Sequence, residues 1–169
     1  MTEQELVAWL RLSFVPNLGM KRLKRLLAID SPCNILNYSN QQLLSIGFSE
    51  SQINHLKFKT ESLVEECLVW QDKSIHHHLI THQCAAYPPC LRQIASAPST
   101  LFVRGNISTL SDPQIAMVGS RNASLEGLQT AKTFAREFTQ SGLIVTSGSC
   151  SISALCGFSG CLLLRCSEL

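Results

Sequence analysis

The spacing of apolar residues divides the chain into a helical first part and a second part in which strands alternate with helices. Over residues 1–70, apolar positions recur three and four residues apart, which predicts amphipathic helices. Further along, short continuous apolar runs appear, such as IAMVG at 115–119 and LIVTSG at 143–148. Runs of this kind are typical of parallel strands that are buried on both faces. The pattern therefore predicts an α/β protein.

A helix with apolar residues at helical spacing, at 125–140, connects those two runs, and Ser141-Gly142 supplies a stop signal. Strand, helix and strand within about 35 residues make a βαβ unit, which implies a parallel sheet. We expect the same sheet to hold strands at Leu101–Arg104 and Cys161–Arg165. A second, poorer crossover helix is expected around 151–157, so that one face of the sheet stays largely bare.

The helical part contains two helix–turn–helix segments with glycine at the turn, FVPNLGMKRLKRLLAI at 14–29 and LLSIGFSESQINHLKFK at 43–59. Ser49 has the position and chemistry of an N-cap. These segments resemble helix-hairpin-helix or SAM-like modules, some of which hold a nucleic-acid backbone. We therefore predict two domains, residues 1–75 and residues 76–169.

A cluster of basic residues in the first of these segments has two explanations. Its side chains would contact a DNA backbone, or they form the ordinary solvated face of a helix, and the sequence favours the solvated face. The cluster consists of Lys21, Arg22, Lys24 and Arg25.

The composition and the N-terminal sequence predict a folded, cytoplasmic protein. The 169 residues are 45% hydrophobic and 15% charged, and the net charge of +2 is too small to indicate a nucleic-acid partner by itself. The N-terminus lacks the features of a secretory signal, and no apolar run is long enough for a membrane span. The eight cysteines contain no C-x-x-C pair and are expected to be reduced thiols.

The segment HHHLITHQC at 76–84 invites a metal-site interpretation. His78, His82 and Cys84 would share one face of a strand because their spacings are even. No fourth ligand accompanies them, so we expect a strand around HLITH and no metal.

The stretch AMVGSRNASLEG at 116–127 has the parts of an anion-binding loop. Gly119 permits a sharp turn, and Ser120 and Arg121 offer hydrogen-bond donors suited to phosphate. A helix that starts near Ser124 would direct its unpaired N–H groups at the same place. In a parallel sheet, Ser147-Gly148 would lie beside this loop.

The loop does not match the known nucleotide-binding motifs. Arg121 occupies the second glycine position of G-x-G-x-x-G, and no Gly-Lys-Ser/Thr follows as in a P-loop. We also find no nucleophile with a base beside it and no other catalytic constellation. We therefore predict a phosphate-containing ligand, no cofactor and no catalytic residue.

Three ordered segments resemble the DNA-processing protein A family (DprA, also called Smf). They are Tyr-Pro-x-x-Leu at 87–91, Pro-x-x-Leu-Phe-x-x-Gly at 98–105 and Gly-Ser-Arg-x-x-Ser at 119–124. The resemblance implies a helical SAM-like N-terminal domain followed by a Rossmann-like parallel sheet, which is incomplete here. It further implies a non-enzymatic protein of natural transformation that binds single-stranded DNA and delivers it to the RecA recombinase. By this resemblance, the DNA-phosphate site comprises Gly119, Ser120, Arg121, Ser124, Ser147 and Gly148.

After residue 148 the sequence departs from the family pattern. Ser151-Ile152-Ser153 stands where the family has Gly-Ile-Asp, and Gly157 stands where it has a histidine. We interpret the Ser- and Cys-rich remainder as an altered, truncated tail. It would lack the part of the sheet that supplies the family's dimer surface, so a homodimer is doubtful for this chain.

Two other functions stay open. Phosphoribohydrolases that cleave nucleoside monophosphates share a Rossmann-like fold, although their Pro-Gly-Gly-x-Gly-Thr loop is not found here. The second alternative function is that of a helical interaction module with a vestigial second domain. For the leading hypothesis, we expect residues 1–169 to aggregate and to bind single-stranded DNA without high affinity, and residues 1–75 to be soluble.

Overall fold

The helices of the first part of the chain are short and follow one another closely. The computed structural model describes residues 1–120, 122–147 and 161–163. The helices in this part are α1 (Glu3–Ser13), α2 (Met20–Leu27), α3 (Pro32–Leu36), α4 (Asn40–Ser45), α5 (Glu50–Phe58), α6 (Thr60–Asp72) and α7 (Pro89–Gln93). A later helix, α8, spans Leu125–Gln140. A 3₁₀ helix spans Ile107–Ser111.

The strands form two small sheets. They are β1 (His77–Thr81), β2 (Thr100–Arg104), β3 (Gln114–Met117), β4 (Ile144–Ser147) and β5 (Cys161–Leu163). β1 pairs with β2 in an antiparallel sheet, and β3, β4 and β5 form a parallel sheet with β4 in the centre. A helical N-terminal region followed by a region with two small sheets confirms the predicted α/β class.

Side-chain caps start most of the helices in the first part. Thr2, Ser39 and Ser49 each accept a hydrogen bond from the backbone N–H three residues later, and each completes a capping box with Glu5, Gln42 or Gln52. A cap of this kind stabilises a helix by about 1 kcal/mol. The prediction of Ser49 as an N-cap is confirmed.

An apolar core joins α1, α2 and the helices that follow. The buried side chains on one face of α2 are Leu23 and Leu26, as the apolar spacing predicts. Trp9 is fully buried in the same cluster, and its indole N–H donates to the Ser99 carbonyl at 3.0 Å. The core consists of Trp9, Leu12, Val15, Leu18, Met20, Leu23, Leu26, Ile35, Leu43, Phe48, Ile53 and Leu56.

The expectation that strand 101–104 belongs to the parallel sheet is wrong. β2 pairs antiparallel with β1, in the register Leu79 opposite Phe102. Trp70 of α6 contacts Phe102 edge-on at 5.3 Å between ring centroids, so the helical core extends onto this hairpin-like pair. Because these contacts are non-local, the apolar pattern of 101–104 alone did not reveal them.

The chain divides into two compact units, Met1–Gly105 and Asn106–Leu169. The domain boundary that the sequence predicts between residues 75 and 76 stays a prediction. The first compact unit includes β1 and β2, because β1 packs against α6, Trp70 of α6 contacts Phe102 of β2, and Trp9 of α1 donates to the Ser99 carbonyl just before β2.

The second unit contains the predicted strand–helix–strand arrangement. β3 and β4 are parallel, α8 spans the predicted range, and Gly142 ends the helix with a φ of 82°. Ser124 caps α8, as expected from the sequence. β5 confirms the start of the strand predicted at Cys161–Arg165, whereas its end and the helix predicted around 151–157 lie outside the described residues.

The prediction that the 115–119 run is a strand buried on both faces is wrong. The strand ends at Met117, its residues alternate between exposed and half-buried, and Val118 is 89% exposed. β4 also alternates, with Val145 and Ser147 buried. The apolar run thus predicts the strand correctly. It does not predict how deeply the strand is buried, because burial on both faces would require a second layer of helices.

Candidate nucleic-acid interface

The loop after β3 and the end of β4 lie at the same edge of the parallel sheet. Ala116 is in register with Thr146, and Met117 is in register with Ser147. The carboxyl ends of parallel strands form the edge at which α/β proteins bind their ligands. The sheet therefore brings the residues after Met117 close to the end of β4, as the sequence predicts.

The loop after β3 is exposed and leads directly into the N-terminus of α8. Gly119, Ser120 and Ser124 are exposed, and Ser120 Oγ accepts a hydrogen bond from the Asn122 N–H at 3.2 Å. Ser124 Oγ accepts from the Gly127 N–H at 3.1 Å, which satisfies one of the unpaired donors of the first turn. Both hydroxyl oxygens act as acceptors in these hydrogen bonds, so each serine keeps an O–H group that can donate to a ligand.

The electrostatics of this helix start favour an anion. A helix of 16 residues places the positive end of its dipole at Ser124, where a phosphate group is stabilised. Glu126 in the first turn is exposed and carries the opposite sign, which weakens the effect for ligands on its side of the helix.

The remaining predicted site residues differ in accessibility. Ser147 is only 2% exposed at the end of β4, in contrast to the open loop beside it. Arg121 and Gly148 lie outside the described residues. The structure thus brings together Gly119, Ser120 and Ser124, and their contact with DNA phosphate stays a prediction.

The basic cluster of α2 separates into two kinds of residue. Arg22 is half-buried, donates to the Gly47 carbonyl and to Gln52 Oε1, and places its guanidinium 5.5 Å from the centroid of the Phe48 ring. Lys21, Lys24 and Arg25 are exposed. Sequence reasoning missed the structural task of Arg22, because Gly47 lies 25 residues away along the chain.

Two of the ordered motifs meet in the connector that follows β1. The Tyr87 hydroxyl donates to the Pro98 carbonyl at 2.8 Å, and Tyr87 is fully buried. Arg92 donates to the Cys84 carbonyl at 2.8 Å and lies 5.7 Å from the Tyr87 ring centroid. Tyr87 therefore fixes the two ends of the Pro-rich connector to each other. The prolines that both motifs contain could have indicated this contact from the sequence.

The prediction that His78, His82 and Cys84 share one strand face is wrong, because β1 ends at Thr81 and the last two residues follow it. The His82 ring is buried 4.9 Å from that of Tyr87, and Cys84 Sγ lies 3.4 Å from the Thr81 hydroxyl. Burial, together with the charges of Lys24 and Arg92, lowers the pKa of His82. Among the described residues, no three His, Cys, Asp or Glu side chains are grouped as metal ligands.

None of the helices within the described ranges is both long and apolar enough to cross a membrane.

Family models match both parts of the chain. Residues 1–69 match the model of the SMF/DprA SAM domain, and residues 78–151 match that of DNA recombination-mediator protein A. Together the two matches cover most of the sequence, with the SAM-domain match preceding the other along the chain.

One curated relative and one solved structure are also similar to this chain. The chain is 36% identical over 93 residues to Protein Smf of Escherichia coli strain K12, which is 55% of this chain and 24% of that protein. It is similar in fold to the X-ray structure of DNA processing protein A from Streptococcus pneumoniae, with a TM-score of 0.64, 19% identity, and coverage of 91% of this chain and 52% of the other. The chain thus spans about a quarter of the one and about half of the other.

Proposed function

The chain belongs to the DprA/Smf family of DNA recombination-mediator proteins, and on that premise we propose that it binds single-stranded DNA through the loop after β3. DNA processing in transformation is the function of this family. The proposal adds that the protein works in the cytoplasm without a catalytic step and delivers incoming DNA to the RecA recombinase.

One observation supports the DNA site above the others. An exposed loop containing Gly119 and Ser120 runs into the capped start of α8, at the ligand-binding edge of a parallel sheet. Backbone N–H groups and hydroxyls at a helix start suit phosphate oxygens and carry no base preference. A sequence-independent contact of this kind is what a protein that handles incoming DNA of any sequence requires.

The experiment that tests this site changes its charge without removing the helix cap. Aspartate caps helices as well as serine does, so Ser124→Asp should leave α8 intact while its carboxylate repels phosphate. We expect the affinity for a fluorescein-labelled 20-nucleotide oligo(dT) to fall about tenfold at 50 mM salt, measured by fluorescence polarisation.

Ser39→Asp is the matched control, because Ser39 caps α4 with the same chemistry and lies in the other unit. It introduces the same charge and should change the affinity less than twofold. Equal losses in both variants would show a general charge effect and contradict a DNA site at Ser124.

The RecA step and the absence of catalysis are tested separately. We expect the chain to speed the assembly of RecA on a labelled single strand, and Ser124→Asp to reduce this effect. We expect no free adenine after incubation with AMP. Release of adenine would instead support the nucleoside-monophosphate phosphoribohydrolase alternative.

A further inference from the structure

We propose that the exposed basic face of α2, formed by Lys21, Lys24 and Arg25, is a second contact surface for the nucleic-acid backbone, located in the helical unit. The choice of nucleic acid as the polyanion rests on the proposed function. The surface belongs to the first compact unit, whereas the loop after β3 belongs to the second.

The fold leaves these three side chains on one outward face of the helix. They stand at positions i, i+3 and i+4, which form a single stripe of about 6 Å along the helix axis. The opposite face of α2 is fixed in the core by Leu23 and Leu26, which are 0% and 2% exposed. The helix cannot rotate to hide the stripe without exposing these leucines, so the positive face is permanent.

No acidic side chain on α2 neutralises this face. The helix sequence MKRLKRLL contains four cations and no carboxylate. Within the part of the chain that the structure describes, none of the three residues donates a hydrogen bond or forms an ion pair. The first carboxylate after the helix, on Asp30, already accepts hydrogen bonds from the Ser31 N–H, Asn34 Nδ2 and the Tyr38 hydroxyl.

Arg22 supplies rigidity to this surface without belonging to it. Its bonds to Gly47 and Gln52 connect α2 to the turn between α4 and α5. An interface whose backbone is already fixed loses less conformational entropy when it binds a ligand. The cluster predicted from sequence as four equivalent cations therefore consists of one structural arginine and three available cations.

Positive charge continues beyond the helix. Lys24 and Arg92 both act on His82, whose pKa they lower after the larger effect of burial. Arg92 is exposed and belongs to the connector between β1 and β2. Both cations therefore lie near His82, one on α2 and the other on α7.

The chemistry of the stripe favours a nucleic-acid backbone over a membrane or a protein groove. Membrane-surface helices insert their apolar face, whereas that of α2 is buried in the protein core. Protein interfaces rely on buried aromatic or aliphatic anchors, and the stripe carries none. Cations that repeat along a helix suit a chain of phosphates, and they add affinity through counterion release.

The test compares two triple variants of the full chain that remove the same charges. The first is Lys21→Gln, Lys24→Gln and Arg25→Gln. The control is Lys59→Gln, Lys73→Gln and Arg104→Gln, which removes two lysines and one arginine from exposed positions elsewhere in the same unit. Binding of labelled oligo(dT) is measured by polarisation between 50 and 200 mM salt.

We expect the slope of log affinity against log salt to become shallower by about 2 in the stripe variant, as the loss of three contacts to a single strand requires. Affinity at 50 mM salt should fall about tenfold. The control should keep the wild-type slope. Equal slopes in the two triple variants would overturn the proposal.

Ser124→Asp in the same assay separates this inference from the proposed function. A loss with Ser124→Asp and none with the stripe variant leaves the proposed function standing and refutes the second surface. The reverse result refutes the loop site alone, and absence of DNA binding by the wild type refutes both. Stripe-dependent binding to vesicles of phosphatidylserine, without binding to DNA, would show that a lipid surface is the partner and overturn the proposal.

Discussion

Arg22 shows how one side chain can look functional in sequence and be structural in the fold. Its guanidinium bonds the Gly47 carbonyl and Gln52 and lies over Phe48, so three segments of the helical unit meet there. Two bonds from a charged donor and a cation–π contact are worth about 1–2 kcal/mol together when the site is half-buried.

Arg22→Gln should therefore lower the free energy of unfolding by about 1–2 kcal/mol, measured by urea denaturation. Arg22→Lys should recover little of this loss, because a lysine cannot reproduce the planar donor fork. Lys21→Gln, one residue away on the exposed face, should change stability by less than about 0.5 kcal/mol. A Lys21 effect as large as that of Arg22 would contradict the assignment.

His82 makes the stability of the helical unit sensitive to acid. Burial first, and then the charges of Lys24 and Arg92, lower its pKa below the ordinary 6.5. The unfolded chain therefore takes up a proton at His82 more readily than the folded chain does. The contribution of neutral His82 to the free energy of unfolding is fully present above about pH 6.5 and is lost as the pH falls below that value.

The urea midpoint of the wild type should decrease from pH 7.5 to pH 5.5 by more than that of His82→Gln, which lacks the titrating group. Comparing the pH dependence of each variant with itself removes any constant cost of the substitution. The same decrease in both proteins would contradict this role of His82.

Helix starts and stops were predictable because their determinants are local. Ser49 and Ser124 cap helices at the positions where their side chains reach the backbone three residues later, and Gly142 adopts the positive φ of a helix end. The partner of β2 was not predictable, because its apolar pattern fits a parallel or an antiparallel neighbour equally well. Only the non-local pairing of β2 with β1 distinguishes them.

The turn between α4 and α5 depends on a glycine. Gly47 has a φ of 93°, a conformation that side chains with a Cβ rarely adopt, whereas Gly19 before α2 has an ordinary φ of −66° and open space around it. Gly47→Ala should cost about 1 kcal/mol or more of stability, and Gly19→Ala should cost less, because the poorer N-cap preference of alanine is offset by the reduced flexibility of the unfolded chain. Thermal melts of both variants check this, and equal melting temperatures would contradict it.

The site was predictable as a loop and less so as a set of residues. The Gly-Ser-Arg-x-x-Ser segment predicted an exposed turn before a helix, and Gly119, Ser120 and Ser124 are arranged in that way. The burial of Ser147 was not predictable, since it depends on which strands flank β4. The same holds for the exposure of Val118, which depends on what covers β3.

At the scale of the molecule, the first unit should be the part that folds by itself. A fragment of residues 1–75 would remove β1 and β2, exposing Leu10, Val64 and Cys67, which pack with Leu79 and Phe102. Residues 1–105 keep this cluster and the bond from Trp9 to Ser99. We expect 1–105 to melt cooperatively and at a higher temperature than 1–75, measured by circular dichroism.

Equal melting temperatures of the two fragments would place the boundary near residue 75 instead. The full chain should aggregate more readily than residues 1–105, because the second unit exposes Val118, Leu125 and Phe134 by 89%, 82% and 54%. Light scattering at matched concentrations compares them.

Whether single-stranded DNA lies on the loop after β3 is the central claim. The direct measurement is ultraviolet crosslinking of the full chain to an oligonucleotide containing 5-bromodeoxyuridine, with the crosslinked peptides identified by mass spectrometry. We predict crosslinks in the peptide that contains Gly119–Ser124, lost in Ser124→Asp and retained in Ser39→Asp. Crosslinks confined to other surfaces, such as the acidic helix α6, or an unchanged pattern in Ser124→Asp, would contradict it.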